Sequence, residues 1–271
     1  VNRPDITRII SIDIANCYGL DRETWDTRLE WTESHYTELP EMSATAKSPV
    51  LFRKAVRALH RVDSGRPTNH IMGLDATASG IQIMACLSGC WKTASEVNLL
   101  NDPERKDIYT SISTHMNQVM GMSRFTRDHM KDPLMTTFYG STAQPKKIFG
   151  DGTVELKAYY RALMERLPGA MKTLEVIQQF WDPTTTHHVW ALPDGHTACV
   201  PVTGPVDKSL EIDELGHLRM AYRTNVLGTL DQSRALAANL VHSVDGWVCR
   251  QMVLMASKQG FWLAPIHECF Y

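Results

Sequence analysis

The sequence predicts an α+β fold in which helices predominate and the sheet is small and antiparallel. Apolar residues recur with helical periodicity through long segments, including residues 49–60 and 231–260. Strand-like alternation is confined to residues 188–192 and 197–202 and to a hairpin pattern at 210–220, whose arms flank a glycine-containing turn. With 271 residues and 43% hydrophobic content, the chain can bury a core as one large domain or two smaller ones.

In the first third of the chain, helices are predicted over residues 23–39 and 80–87, on either side of a short strand. That strand is an apolar run at residues 71–74, which ends on Asp75 and is followed by a turn of small residues. A strand that ends on a carboxylate in this way can present a metal ligand. Taken alone, Asp75 could instead be only the N-cap of the following helix.

The middle of the chain is predicted to be helical. A helix is expected to begin at residues 101–104, where Asn101 and Asp102 can cap it and Pro103 occupies its first position. Residues 152–167 and 170–181 are expected to form a helical pair joined by Pro168-Gly169.

Within this helical region, one row of side chains recurs at every fourth residue: Arg127, Lys131, Met135 and Tyr139. Four-residue steps keep such a row near one face of a helix, and the row spans roughly 18 Å. Two cations at one end and a tyrosine at the other suit a ligand with a polyphosphate tail and a sugar-base head. The alternative is an amphipathic helix whose cations are simply solvated.

The last segment is predicted to be a helix at residues 231–260, either continuous or broken near Asp245-Gly246, followed by a second apolar run that ends on His267-Glu268. Two strand-borne carboxylates, Asp75 and Glu268, can together hold two divalent ions. Mg²⁺ is usually held by one or two carboxylates plus substrate phosphates, and paired ions serve phosphoryl transfer. Without a partner, Glu268 would be an ordinary strand end.

Taken in order, three segments resemble motifs A, B and C of the single-subunit DNA-dependent RNA polymerases of bacteriophages and mitochondria. They are DATASGIQ from Asp75, RxxxKxxxMTTFYG from Arg127 and IHECF ending at Phe270. Further blocks resemble the family at residues 14–19, 46–49, 107–109, 192–195 and 241–246. The order and spacing agree, and the resemblance covers nearly the whole chain.

The resemblance implies a right-hand polymerase architecture with a palm, made of a small antiparallel sheet with helices, and helical fingers, but without the N-terminal domain and thumb. It places the palm with motif A at 1–100, mainly fingers with motif B at 101–185, strands and a promoter-reading hairpin at 186–230, and the palm helix with motif C at 231–271.

The resemblance also implies roles for individual residues. It implies that the catalytic residues are Asp75, Glu268, Lys131, Tyr139 and His242. Asp75 and Glu268 would be the ligands of two Mg²⁺ ions, and His267 precedes the second carboxylate as in the family. The incoming nucleotide would be bound by Arg127, Lys131 and Arg22 at its triphosphate and by Tyr139, Gly80 and His242 at its ribose.

Two residues depart from the family pattern. Motif C of the family normally reads His-Asp, whereas Glu268 is one methylene longer and requires a shift of about an ångström, which can cost about 100-fold in rate. Pro133 lacks an N–H group and is expected to bend or loosen the motif B helix between Lys131 and Met135.

The chain is also several times shorter than the family's enzymes. Either it is the catalytic chain of a divided, heterodimeric phage RNA polymerase, whose second polypeptide supplies the N-terminal domain and thumb, or it is a fragment of a longer protein. We favour the divided enzyme, acting in the cytoplasm of an infected bacterial host and not in a mitochondrion.

The implied partners are a DNA template, the RNA product and rNTPs. Because the hairpin tip Asp213-Glu214 repels phosphate, a DNA-binding accessory protein is expected to help choose the promoter. A net charge of −2 is unusual for a nucleic-acid binder. A basic partner, or clustering of the 28 Lys and Arg residues on one face, would resolve this conflict.

Composition excludes some classes of function. No stretch approaches the roughly 20 apolar residues of a membrane helix, and the six scattered cysteines contain no CxxC pair for zinc. The leading hypothesis is a DNA-directed RNA polymerase that uses two metal ions. The alternatives are a non-catalytic polymerase-like scaffold, marked by Glu268, and a family A-type DNA polymerase, which the Ser79-Gly80 pair and the HSxDG block at 242–246 disfavour.

Overall fold

The computed structural model describes residues 3–102, 104–227, 234–266 and 269–271, and its mixed helices and small antiparallel strand pairs confirm the predicted α+β class. The chain divides into two compact units. The first comprises Val1–Asp75, Asp102–Arg105 and Cys269–Tyr271, and the second comprises Ala76–Asn101 and Lys106–Glu268.

The first unit is built on three helices and a π-helical turn: α1 (Arg3–Ala15), the turn Asn16–Leu20, α2 (Trp25–Ser34) and α3 (Pro49–Asp63). The predicted helix over residues 23–39 is wrong in its last five residues, because the residues after Ser34 fold into turns. Helix α3 is confirmed and runs three residues beyond its predicted end, since Pro49 suits its first position and Phe52, Val56 and Leu59 are buried on one stripe.

A buried arginine fixes the loop that joins the π-helical turn to α2. The Arg28 guanidinium donates to Asn16 Oδ1 at 2.7 Å and to the carbonyls of Asp21 and Glu23 at 3.0 and 2.6 Å. Nη1 and Nη2 of this buried charge are thus satisfied, as burial requires, whereas its Nε has no hydrogen-bond partner among the described residues. The loop that carries Arg22 is therefore tied to the start of α2.

The second unit contains the remaining helices: α4 (Ser79–Ser88), α5 (Trp91–Glu96), α6 (Ile108–Met120), α7 (Arg127–Phe138), α8 (Ala143–Phe149), α9 (Val154–Arg166), α10 (Pro168–Gln179) and α11 (Arg234–Lys258). Their buried faces form one hydrophobic cluster around Met84, Ile112, Met116, Leu134 and Tyr159. The predicted pair α9 and α10 is confirmed, but the predicted junction at Pro168-Gly169 is wrong. Both residues lie in the first turn of α10, and Leu167 is the single residue between the helices.

The predicted helix start at residues 101–104 is wrong, since α6 begins at Ile108. Asp107 is the N-cap, and its Oδ1 accepts the Tyr109 N–H at 3.2 Å. In the preceding loop, the Asn98 side chain accepts a hydrogen bond from the Lys106 N–H and donates one to the Lys106 carbonyl, each at 2.8 Å. The side chain of Asp107 thus ends the loop at the point where the helix can begin.

Helix α11 is continuous from Arg234 to Lys258, so the possible break at Asp245-Gly246 does not occur. Its predicted first residues, 231–233, lie outside the described residues. In the described part of the chain, none of the helices combines the length and the apolar character needed to cross a bilayer.

The strands pair two by two. Strands β1 (His187–Ala191) and β2 (Thr197–Pro201) are antiparallel, as predicted. Strands β3 (Thr203–Ile212) and β4 (Leu218–Leu227) form the predicted hairpin, which is longer than expected and turns through Asp213–Leu215 and Gly216. The short strands β5 (Pro265–Ile266) and β6 (Cys269–Phe270) flank residues 267–268, which are not described.

Candidate functional site

Asp75 lies at the end of a backbone pairing between two distant segments. The Leu74 N–H donates to the Phe270 carbonyl at 2.8 Å, and the Phe270 N–H donates to the Leu74 carbonyl at 2.9 Å. The contact is reinforced at Gly73, where an added Cβ would lie 2.7 Å from the Tyr271 ring. A larger residue at position 73 would therefore require the Tyr271 side chain to move.

The Asp75 carboxylate is exposed and makes no hydrogen bond or ion pair with any residue that the structure describes. Helix α4 begins four residues later with Ala78 as its N-cap, so the alternative reading of Asp75 as a helix cap is wrong. The predicted strand over residues 71–74 is wrong, since the described pairing at this place is a single β-bridge between Leu74 and Phe270. A carboxylate that follows this bridge with its oxygens uncommitted is available to a hard cation.

The second predicted metal ligand, Glu268, and its neighbour His267 lie outside the described residues. Cys269 and Phe270 follow Glu268 directly, and Phe270 is the residue that pairs with Leu74. The two segments to which the sequence assigned metal carboxylates are therefore joined through their backbones next to Asp75.

Lys131 and Met135 of the predicted row lie on the side of α7 away from the core, whereas Tyr139 is the C-cap of α7 and packs, partly buried, against the core. Met130, Leu134 and Phe138 are buried in the second unit, whereas Lys131 is exposed and Met135 is 43% exposed. The four-residue spacing thus gives Lys131 and Met135 an accessible face, with partly buried Arg127 at one end and Tyr139 beyond the helix at the other. Helix α7 continues through Pro133, and a bend at this turn stays a prediction.

Arg127, at the start of the row, is held by the N-terminal end of α6. Its Nε donates to Asp107 Oδ2 at 2.6 Å, and its guanidinium lies 5.0 Å above the centre of the Tyr109 ring. Asp107 also accepts the Thr110 hydroxyl at 3.0 Å. Asp107 thus engages Nε of Arg127, and Nη1 of the same guanidinium lies 3.7 Å from Oδ1 of exposed Asp128.

At the other end of the row, three residues that the sequence grouped together are in contact. The rings of Tyr139 and His242 stack with centroids 5.1 Å apart and planes inclined by 24°. A Cβ added to Gly80 would lie 3.4 Å from Val241 Cγ1 and 3.8 Å from both Cε1 and the hydroxyl of Tyr139. The fold therefore sets a flat aromatic pair beside the first turn of α4.

Contacts that the sequence analysis missed hold α11 in this position. Trp190 Nε1 on β1 donates to Ser243 Oγ at 3.0 Å, and Ser79 Oγ on α4 donates to Asp245 Oδ2 at 3.5 Å. One turn further on, Arg250 Nε donates to Asp194 Oδ2 at 2.6 Å, and this bond holds the pKa of the Asp194 carboxyl below its usual value. Each of these three bonds has one end in the 192–195 or the 241–246 block, and that was the only sequence signal for them.

Arg22 is exposed in the loop that Arg28 fixes. Its neighbour Asp21 accepts from Lys47 Nζ at 3.1 Å and, through its carbonyl, from Arg105. Burial acts to raise the pKa of the Asp21 carboxyl, but the hydrogen bond and charge of Lys47 outweigh it, and the pKa lies below its usual value. Arg22 thus adds a cation to the first unit, which also contains Asp75.

Comparison with known proteins identifies similar chains. The model of the family described as DNA-dependent RNA polymerase matches residues 5–148, slightly more than half of the chain. DNA-directed RNA polymerase 1, mitochondrial, of Arabidopsis thaliana is 22% identical over 97% of this chain and 33% of its own length. The DNA-directed RNA polymerase of Pseudomonas phage phiKMV is 21% identical over 96% of this chain and 39% of its own length. The chain thus spans about a third of the length of these relatives.

Proposed function

Since the chain belongs to the DNA-dependent RNA polymerase family, we propose that it catalyses template-directed nucleotidyl transfer from rNTPs onto RNA, directed by a DNA template. The observation that carries this proposal is the pairing of Leu74 with Phe270, because it joins the two carboxylate-bearing segments beside Asp75. The relatives named as DNA-directed RNA polymerases support the same reaction.

We assign Asp75 and Glu268 as the residues that hold two Mg²⁺ ions. The exposed and uncommitted carboxylate of Asp75 fits this role, since Mg²⁺ takes oxygen ligands. When bound, paired ions would supply activation of the attacking 3′ hydroxyl and stabilisation of the leaving oxygen.

We assign the row on α7, together with Arg22, to the incoming nucleotide. Arg127 and Lys131 are one helical turn apart, about 6 Å along the axis, and would bind the triphosphate through charge-assisted hydrogen bonds. The stacked rings of Tyr139 and His242 would line the ribose together with Gly80, which lies beside Tyr139.

In this proposal the palm takes residues 1–100 and 231–271, the fingers take 101–185, and the hairpin within 186–230 reads promoter DNA. A second polypeptide supplies the N-terminal domain and thumb, and an accessory DNA-binding protein assists at the promoter. The divided enzyme would act in the cytoplasm of an infected bacterial host.

The test is extension of an RNA primer on a DNA template by the full chain, with and without candidate partner polypeptides, using rNTPs or dNTPs with Mg²⁺. We expect Asp75→Asn to lower elongation more than about 100-fold, because a metal ligand is lost from an exposed position. The circular-dichroism melt should not change. Asp26→Asn, which alters another exposed aspartate of the first unit, is the matched control and should retain activity.

Glu268 distinguishes the polymerase from a second candidate, a polymerase-like scaffold without activity. The glutamate in place of the family's aspartate is the observation that favours the scaffold. Glu268→Ala should eliminate elongation, and Glu268→Asp should preserve or raise it. Elongation that persists in Glu268→Ala would refute the metal assignment, whereas a chain that never extends a primer would favour the scaffold. Preference for dNTPs would indicate a DNA polymerase.

A further inference from the structure

The exposed face of α3 forms one wall of a basic groove in the first unit. The groove has a volume of about 870 Å³, and the segment from Pro67 to His70 forms its opposite wall. Four cations of α3 line it: Arg53, Lys54, Arg57 and Arg61. No carboxylate lies among the described residues that line it.

The sequence of α3 explains why these cations share one face. Phe52, Val56 and Leu59 turn toward the core, so the residues between them turn toward solvent. Arg53, Arg57 and Arg61 follow one another at intervals of four residues and span about 12 Å along the helix. One strand of a duplex carries a phosphate about every 3.4 Å along the axis, so a row of this length matches three or four phosphates.

Two of the arginines are oriented by neutral oxygen atoms. Arg61 Nε and Nη2 donate to the Pro67 carbonyl at 3.1 and 2.9 Å, and Arg53 Nη2 donates to Ser43 Oγ at 3.1 Å. These bonds fix the side chains without neutralising them. Charge that is already positioned binds an anion with less loss of side-chain entropy.

None of the four cations forms an ion pair with a carboxylate in the described ranges. By contrast, Arg161 lies 2.7 Å from Glu165, and Lys172 lies 2.9 Å from Glu175. The groove is thus a concentration of uncompensated positive charge on a chain whose net charge is −2. It supplies the local clustering that binding to a polyanion requires.

We propose that the groove along α3 binds the phosphate backbone of a nucleic-acid strand without reading its sequence. The choice of nucleic acid over other polyanions rests on the proposed function. Arginine and lysine contacts to phosphate position a protein on a strand and carry no base information. The groove would therefore retain a strand on the chain independently of nucleotide chemistry.

The test compares two double variants of the full chain that lose the same net charge. Lys54→Ala/Arg57→Ala removes two groove cations, and alanine preserves the helix because it is the best helix former. Arg161→Ala/Lys172→Ala removes two cations that are already paired. Binding of fluorescent 20-nucleotide DNA, RNA and duplex DNA of mixed sequence is measured by anisotropy over a range of salt concentrations.

We expect the groove variant to raise Kd at least about tenfold on one or more of these probes and to lower the slope of log K against log salt by about 2, one for each lost phosphate contact. The control should stay within about twofold of the unmodified chain. Equal effects of the two variants, or no binding by the unmodified chain, would overturn the proposal. Because this readout needs no catalysis, failure of primer extension alone would count against the proposed function and leave the groove assignment intact.

Discussion

The hydroxyl of Tyr139 can be separated from its ring by mutation, because the ring stacks on His242 independently of the hydroxyl. If the hydroxyl contacts the ribose, Tyr139→Phe should relax the preference for rNTPs over dNTPs roughly tenfold, since a hydrogen bond is worth about 1 kcal/mol and more when a buried group loses its partner. The overall rate should change little. The measurement is the ratio of kcat/KM for one rNTP to that for its dNTP.

Two further variants make this experiment specific. Lys131→Ala should weaken binding of both nucleotide classes alike, since both carry a triphosphate. Tyr160→Phe, which removes a hydroxyl on α9, should leave the ratio unchanged. A ratio that does not move in Tyr139→Phe would remove Tyr139 from the sugar site.

Asp107 combines two functions that mutation can also separate. It caps α6, and it receives Arg127 Nε at 2.6 Å. Asparagine is as good an N-cap as aspartate but lacks the charge that pairs with arginine. We therefore expect Asp107→Asn to raise KM for every nucleotide several-fold with little change in kcat or in the melting temperature.

Asp107→Ala is the comparison, because it loses the cap as well and should lower stability by about 1 kcal/mol. The two variants should raise KM alike but differ in their urea midpoints. If Asp107→Asn leaves KM unchanged while Arg127→Ala raises it, Arg127 does not need Asp107 to reach the nucleotide.

At the scale of elements, the N-terminus of α10 packs closely against the end of α4 and the start of α5. A Cβ added to Gly169 would lie 2.1 Å from Cys90 Cβ and 2.5 Å from Ser88 Oγ, and the Gly169 N–H donates to Thr93 Oγ1 at 3.1 Å. Gly169→Ala should therefore destabilise the protein by about 1–3 kcal/mol through overpacking. Urea denaturation measures this loss.

Gly246 is the matched control, since it also lies within a helix but has only the end of a flexible side chain, Arg250 Nη1 at 3.5 Å, near its added Cβ. Gly246→Ala should be neutral or should stabilise the protein by up to about 1 kcal/mol, because alanine loses less backbone entropy in a helix. If both variants destabilised equally, close packing at Gly169 would not be the cause.

The elements differ in how well their residues predicted them. Helix α3 and the β3–β4 hairpin were found because their apolar spacing agrees with the faces that they bury or pair. The start of α6 was misplaced because residues 101–104 and Asp107 both offer a helix cap. Only the tertiary bonds of Asn98 to Lys106 decide between them, and sequence periodicity contains no information about such bonds.

The candidate site shows the same division. The cluster of Tyr139, His242 and Gly80 was anticipated from the resemblance, and the structure brings the three together. The contacts of Arg127 with Asp107 and Tyr109 were not anticipated. Residues about 20 positions apart give no periodic signal that they touch. Local spacing predicts faces of elements, whereas contacts between elements depend on packing.

For the molecule as a whole, the net charge of −2 gives little information about nucleic-acid binding. Total charge averages over paired and unpaired side chains, but only the unpaired ones attract a polyanion. The hairpin shows the paired case, where Asp207 binds Arg223 at 2.7 Å and Glu211 binds Arg219 at 3.1 Å. The α3 groove shows the unpaired case, so the distribution of charge and not its sum bears on nucleic-acid binding.

The pairing of Leu74 with Phe270 also has a consequence for protein synthesis. Phe270 leaves the ribosome 196 residues after Leu74, which at common translation speeds takes on the order of 10–40 s. Throughout that interval the N–H and carbonyl of Leu74 lack the partner that they have in the folded chain, and closing so long a loop is slow. Helices made of neighbouring residues can fold as they emerge. The backbone pairing beside Asp75, by contrast, cannot form until translation has passed Phe270.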